Sequence, residues 1–297
     1  MSEFPLVIAI DAGGTEIKAG LVKGKEVLAT QRWATEREGG PDHARDQILF
    51  AAGEMARRHP DAKAIGLVVP GVVDSHNGIA VYSENLKWEN VPFRKIINEM
   101  TGLPVGFGHD VRAGGIAENN FGAGIGFSNT LFLPIGTGIA GAITIDGVMN
   151  EDVFSGEIGH MDVGSGYPCE CGSCDCLESI STGPSIARIY REKSGKPIAN
   201  SAEVVKAANS GDVIAIQVWR NSMLALAKAV YAYVTVLAPD VIIFGGGVSK
   251  AGKELLDPIQ SYLDSKITFQ RHPHLTIAQL GDTAGIIGAG IIASRSL

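Results

Sequence analysis

The sequence is short of positive charge: 25 Lys and Arg stand against 32 Asp and Glu, a formal net charge of −7. Broad binding to nucleic acid phosphates needs the opposite balance, so no nucleic acid partner is expected. A local site for a small anion is still allowed. Long apolar runs are missing as well. No stretch reaches the ~20 residues that span a bilayer, so no membrane partner is expected. The opening MSEFPLVIAI has no basic leader and runs straight into a strand pattern, which points away from a secretory signal and toward the cytoplasm. Charged residues make up only 19% and glycines number 38, unlike a disordered or coiled-coil chain. Cysteine is nearly absent. All four fall in CECGSCDC, Cys169 to Cys176. In a reducing compartment so tight a cluster reads as a metal site rather than as disulfides.

The 297 residues are enough for two domains, and 45% hydrophobic residues supply their cores. Residues 5–34 predict a β-meander: PLVIAI, a DAGGT turn, IKAGLV, a KGK turn and EVLATQRWAT. A helix is expected over PDHARDQILFAAGEMARRH and a strand over AKAIGLVVPG. SHNG (75–78) reads as a hairpin turn, FRKIINEMTG as a helix closed by Gly102, and LPVGFGHD as a buried strand ending in charge. VRAGGIAENNFG reads as a helix. Residues 130–150 then repeat the opening scheme of strand, Gly/Thr turn and strand, which predicts two related halves. Helices are expected at 183–194, 201–210 and 212–237. DVIIFGGGVSKAG predicts strand, glycine turn and helix; HLTIAQL is a late strand and TAGIIGAGIIASRSL a final helix. No low-complexity linker separates these parts. The expected division is a smaller domain of 1–120 with the C-terminal helix (about 283–297), and a larger domain of 121–282.

Three glycine turns could carry chemistry. DAGGTEIK (Asp11–Lys18) and IGTG (Ile135–Gly138) link strand to strand, and FGGGV (Phe244–Val248) follows a strand. Glycine lets backbone amides approach phosphate oxygens closely. A dinucleotide fingerprint or P-loop leads from strand into helix, and the first two turns do not. An ordinary tight hairpin is the plain alternative for DAGGTEIK. Asp110 ends an apolar strand, where a carboxylate can accept a hydroxyl proton; it could equally cap the following helix. The cysteine segment with His160 offers five candidate ligands, one more than a structural zinc takes. Trp88 is expected to pack rather than to stack on a ligand.

IDAGGTEIKAGLV, VPGVVD, IGTGIAGAI, GEIGHMDV, CECGSCDCLES and PDVIIFGGGV occur in this order over nearly the whole chain. Together they resemble the ROK family of bacterial sugar kinases, in the actin-like ATPase superfamily. The resemblance implies an α/β, ribonuclease H-like two-domain fold with a zinc-stabilised loop, closing over a sugar and ATP with magnesium. It implies phosphate hairpins at Asp11, Gly13, Gly14, Thr15 and Lys18 and at Gly136, Thr137 and Gly138, with Gly245, Gly246 and Gly247 beside the adenosine. Asp11 would act through magnesium and its waters. Asp110 would be the general base that orients the sugar 6-hydroxyl. Gly71, Asn85, His109, Glu157, His160 and Glu178 would join it around the sugar. The family's cysteine pattern maps zinc onto His160, Cys169, Cys171 and Cys176, leaving Cys174 spare; a set with Cys174 in place of His160 is the rival.

The chain departs from the family at three places. Where members read Asn-Asp-Ala-Asn, it reads His109-Asp110-Val111-Arg112; Glu16 stands where many carry Lys; Asp175 replaces a Gly. The first departure leaves the acceptor open among glucose, the commonest in the family, and mannose, fructose, allose, N-acetylglucosamine and N-acetylmannosamine. Some members are repressors with an N-terminal helix-turn-helix, and the turn at residue 11 is expected to leave no room for one. A sugar sensor without catalysis and a polyphosphate-dependent kinase are the other readings. The first would predict damage to Asp11, Asp110 or the hairpins, and the second a basic groove. The family often forms dimers, so the resemblance also implies a homodimer.

Overall fold

The computed structural model describes residues 4–36, 39–83 and 86–297. In chain order come β1 (Leu6–Ala12), β2 (Glu16–Lys23), β3 (Glu26–Ala34), α1 (Pro41–Arg58), β4 (Ile65–Val69), β5 (Val72–Asp74), β6 (Ile79–Tyr82), β7 (Glu89–Val91), α2 (Phe93–Thr101), β8 (Val105–His109) and α3 (Asp110–Phe121). They are followed by β9 (Thr130–Pro134), β10 (Ala142–Ile145), β11 (Val148–Met149), α4 (Glu178–Ser181), α5 (Gly183–Ser194), α6 (Ser201–Asn209) and α7 (Val213–Leu237). The last are β12 (Val241–Gly245), α8 (Lys253–Lys266), β13 (His274–Ile277) and α9 (Ala284–Ser294). Two compact units result. One comprises Met1–Gly122, Met149–Ser155 and Asp282–Leu297; the other comprises Ala123–Val148 and Gly156–Gly281.

The first unit is built on a sheet ordered β3-β2-β1-β4-β8. β1 runs antiparallel to β2 and parallel to β4, and β4 parallel to β8. IGLVV in β4 is buried along its whole length, as a central parallel strand requires, while edge strand β3 alternates exposed and half-buried positions. Burying Ile8, Ile10, Ile65 or Leu67 completely contributes about 1.5–3 kcal/mol each. The last helix lies on this sheet at backbone distance. A Cβ on Gly66 would come within 1.9 Å of the Ala289 carbonyl, one on Gly106 within 2.3 Å of Ile292 O, and one on Gly288 within 2.0 Å of Ala113 O. Glycine at these points in β4, β8 and α9 lets helix and sheet touch without side chains between them. A second, three-stranded sheet, β5-β6-β7, adjoins it. Trp88 is 1% exposed and packs edge-on against Phe93, ring centres 5.4 Å apart, so it is a core residue as expected.

The second unit repeats the scheme. Its sheet is ordered β11-β10-β9-β12-β13, again a meander followed by two parallel strands. The glycine hairpin between β9 and β10 therefore occupies the same place as the one between β1 and β2. The 25-residue α7 supplies the core: Val218, Met223, Leu226 and Val230 cluster with Leu131, Leu133, Ile242 and Phe244. Asp212 starts this helix by accepting the Ile214 and Ala215 N–H groups, both at 3.0 Å. No helix among the described residues is long and apolar enough to cross a membrane.

Candidate active site

In the first unit, Asp11 pairs with Val68 and His109 with Val69 across adjacent parallel strands. Asp11 and Asp110 thus stand together at the carboxyl ends of β1 and β8, the edge where open α/β sheets bind ligands. The hairpin after Asp11 is tight. Gly13 donates its N–H to Glu16 O at 2.9 Å, and Thr35 donates its hydroxyl to Gly13 O at 2.8 Å. Thr15 is left exposed at the tip. Glu16 turns to Arg32, 2.9 Å away on β3, and Lys18 lies 3.9 Å from the same carboxylate oxygen.

Asp11 as a residue is half-buried, but protein encloses its carboxyl end. A Cβ on Gly285, at the start of α9, would come within 2.2 Å of Asp11 Oδ2. Burial pushes the carboxyl up to about 7, the nearby Asp110 charge adds to this, and Lys18 opposes it. An unfolded chain releases this proton near pH ~4. Between these values the folded chain holds a proton that the unfolded chain has lost, so stability falls as pH rises through the window. Asp11→Asn is expected to flatten that slope. Thermal midpoints from pH 5 to 8, without nucleotide or magnesium, check it; an unchanged slope sinks the assignment.

Asp110 opens α3. The Val111 N–H is shared by Asp110 Oδ1 at 2.7 Å and His109 Nδ1 at 3.2 Å, and Nδ1 lies 3.3 Å from Asp110 Oδ1. His109 is the N-cap, a role in which an Asn would offer its side-chain oxygen. The N-cap position belongs to His109, and Asp110 shares in holding the first free N–H of the helix with the shorter of the two bonds. Arg112 is 4% exposed. Its guanidinium donates to the carbonyls of Asp152 at 2.6 Å, Ser155 at 3.1 Å, Glu151 at 3.3 Å and Val153 at 3.4 Å. It therefore holds the excursion Met149–Ser155 onto α3. Arg112→Ala leaves those carbonyls without their donor and is expected to cost about 3 kcal/mol, read by urea unfolding.

In the second unit, the β9–β10 hairpin closes through Gly136 N–H donating to Gly138 O at 3.0 Å, with Thr137 and Gly138 exposed. The FGGGV turn meets it. Ile135 donates to Gly245 O at 3.0 Å and accepts from Val248 N–H at 3.1 Å. Gly246 has φ +75, and a Cβ there would lie 2.4 Å from Ile135 O. Gly245 faces the Phe132 ring, 2.9 Å from its would-be Cβ. Gly136 and Gly247 differ. Neither has a left-handed φ, and a Cβ on either meets nothing. Local packing gives no steric reason for glycine at these two places, although Gly136 already spends its N–H on Gly138 O and its carbonyl on the Gly183 N–H.

The cysteine segment follows. The ligand atoms of His160, Cys169, Cys171 and Cys176 all lie within 4.8 Å of one another. Cys169 Sγ is 3.8 Å from His160 Nδ1, and Cys171 Sγ is 3.7 Å from Cys176 Sγ. A zinc tetrahedron with arms of ~2.3 Å has edges of roughly 3.8 Å, so the cluster fits that ion. Cys174 is exposed and is not one of the four. Residues 170–174 are exposed, so burial does little to hold this loop. Asp175 has φ +66, which explains a glycine preference there. Its Oδ1 accepts the Gly166 N–H at 2.6 Å, an interaction glycine could not make. The turn carrying Glu157 and His160 is tied down by Tyr233, whose hydroxyl donates to Ile158 O at 2.7 Å. Burial raises the Glu178 carboxyl, partly opposed by the Ile139 N–H that it accepts.

The family model described as ROK family matches residues 7–296. The chain belongs to the ROK family. A glucokinase of Halalkalibacterium halodurans is 31% identical, over 97% of this chain and 94% of that protein. The crystal structure of a ROK hexokinase from Thermus thermophilus is 30% identical with TM-score 0.82, covering 97% of this chain and 98% of its own. A ROK family glucokinase from Streptomyces griseus, in complex with glucose and AMPPNP, is 27% identical with TM-score 0.82, covering 98% and 99%. The expected α/β actin-like ATPase architecture is thus the one this ROK chain has.

Some site positions in this ROK protein carry a fold role as well. Gly71 has φ +98, and a Cβ would lie 2.3 Å from Tyr82 O, so the β4–β5 turn itself demands glycine. Asn85 lies outside the described residues. Gly285, Gly159 and the Ile139 amide had no individual signal in the sequence, although the run of small residues in TAGIIGAG marks a helix that packs closely.

Proposed function

We propose that this ROK protein is an ATP-dependent kinase that phosphorylates the 6-hydroxyl of a hexose, glucose foremost. The observation that carries the reading is the pair Asp11 and Asp110, intact and together at the carboxyl ends of parallel strands. Asp110 accepts the proton of the attacking hydroxyl. Bound magnesium would supply charge neutralisation on the phosphoryl oxygens, and Asp11 would act through its waters. The hairpins at Gly13–Thr15 and Gly136–Gly138 would each offer backbone to the phosphates, with the Gly13 and Gly136 N–H groups already spent in shaping their own turns, and Lys18 would add positive charge. Gly245–Gly247 take the adenosine side. Glu157, His160 and Glu178 hold sugar hydroxyls, and zinc on His160, Cys169, Cys171 and Cys176 keeps that loop in place. The glucokinase relatives support a sugar kinase, and the glucose and AMPPNP complex supports both substrates for that relative.

His109 favours a second acceptor as the alternative. An imidazole at the usual Asn position has a different reach toward a hydroxyl. The test is coupled ADP release with ATP and magnesium over hexoses, N-acetylhexosamines and fructose. A single strong responder establishes the kinase and names its sugar. Silence from zinc-replete, folded protein overturns the proposal in favour of a sensor.

A further inference from the structure

Three segments of the second unit meet at Glu178, the first residue of α4 and two residues beyond Cys176. One is the β9–β10 hairpin: Glu178 Oε1 accepts the N–H of Ile139. Another is the turn holding Glu157 and His160, and the third is the end of the cysteine loop. The packing leaves no slack. A Cβ on Gly138 would lie 2.9 Å from Glu178 Oε1. A Cβ on Gly159 would lie 2.6 Å from Glu178 Cγ and 2.2 Å from Ile139 O. Neither glycine has a left-handed φ; Gly138 lies against the Glu178 carboxylate, and Gly159 is wedged between Ile139 O and the Glu178 side chain.

We infer that Glu178 is a positioning residue for the second glycine hairpin and couples sugar binding to nucleotide binding. The inference rests on the kinase reading above. A carboxylate has about four acceptor sites, and the Ile139 N–H uses one, leaving others for a sugar hydroxyl. A hydroxyl bound there restrains the side chain on which the hairpin backbone leans. The nucleotide then meets a hairpin already ordered and loses less freedom on binding. The coupling is reciprocal: the nucleotide tightens the sugar by the same factor.

The experiment is calorimetric binding of AMPPNP with magnesium, with and without saturating glucose, to wild type, E178Q, E178D and E178A. Wild type is expected to tighten about fivefold to tenfold when glucose is present. E178Q keeps an acceptor oxygen for Ile139, so its glucose-free AMPPNP affinity stays within about twofold of wild type while glucose binding weakens. E178A is expected to bind AMPPNP about tenfold more weakly without glucose and to lose the coupling. E178D keeps the charge but draws it back from Ile139, so it behaves as E178A does. It decides the matter if E178A does not fold. Wild-type AMPPNP affinity in folded E178A or E178D, with glucose absent, overturns the inference and leaves the kinase reading standing. Wild-type protein that binds no AMPPNP overturns the kinase reading itself.

Discussion

Asp110→Asn is expected to remove phosphoryl transfer while leaving glucose binding measurable. The amide keeps the size of the carboxylate and its carbonyl oxygen, so the acceptor of the Val111 N–H survives at the start of α3. It cannot take the proton of the attacking hydroxyl. Losing a general base is expected to lower kcat about a hundredfold to ten-thousandfold. Sugar affinity, measured by calorimetry, changes by a few fold at most. His109 still caps the helix, so the thermal midpoint stays close to wild type. Retained turnover refutes the role of Asp110 as base. Lost sugar binding together with lost turnover would instead make it a binding residue.

Cys176→Ser is expected to lose zinc and weaken sugar binding together. Cys176 is 1% exposed and is the buried member of the four-ligand cluster. Structural zinc in comparable peptides contributes on the order of 10 kcal/mol, most of it through thiolates, and a serine hydroxyl does not replace one. The exposed stretch 170–174 then keeps only its own short-range backbone bonds, among them Cys169 N–H to Ser173 O at 2.9 Å and Gly172 N–H to Cys169 O at 3.1 Å. Two anchors remain nearby, the Leu177 N–H to Met161 O bond at 2.9 Å and the Tyr233 hydroxyl on Ile158 O. They hold the neighbouring backbone but not the His160 ring. Elemental analysis is expected to show zinc lost on dialysis, with glucose affinity falling at least about tenfold. Lost zinc with normal glucose affinity means the metal serves stability alone.

The strands and helices were largely legible because their signals are local. IGLVV announces a buried strand, Gly102 a left-handed cap, and the two Gly/Thr turns a duplicated meander. Counting His160 with the cysteines gave five candidate ligands, and the resemblance to the ROK pattern singled out the four that cluster. Other features carry no local signal. Arg112 binds four carbonyl groups, and any residue types at 151, 152, 153 and 155 would have supplied them. Gly66 and Gly106 look like ordinary strand glycines until α9, some two hundred residues later, lies against them. The three short strands of the β5-β6-β7 sheet showed only as a turn at 75–78. In each case the partner is remote in sequence, or is backbone, and so leaves no pattern.

The closeness of α9 to β1, β4 and β8 also orders events during synthesis. When residue 122 leaves the ribosome, the first sheet has its strands but lacks the helix that covers one face, because that helix begins at Ala284. At about 5–20 residues per second the wait is roughly ten to thirty seconds. Meanwhile every element of the second unit emerges and can fold on its own core. The nascent first sheet spends that interval with Val7, Ala9 and Val68, the residues that pack beneath α9, open to water. A chaperone that binds this chain during translation would find its target there.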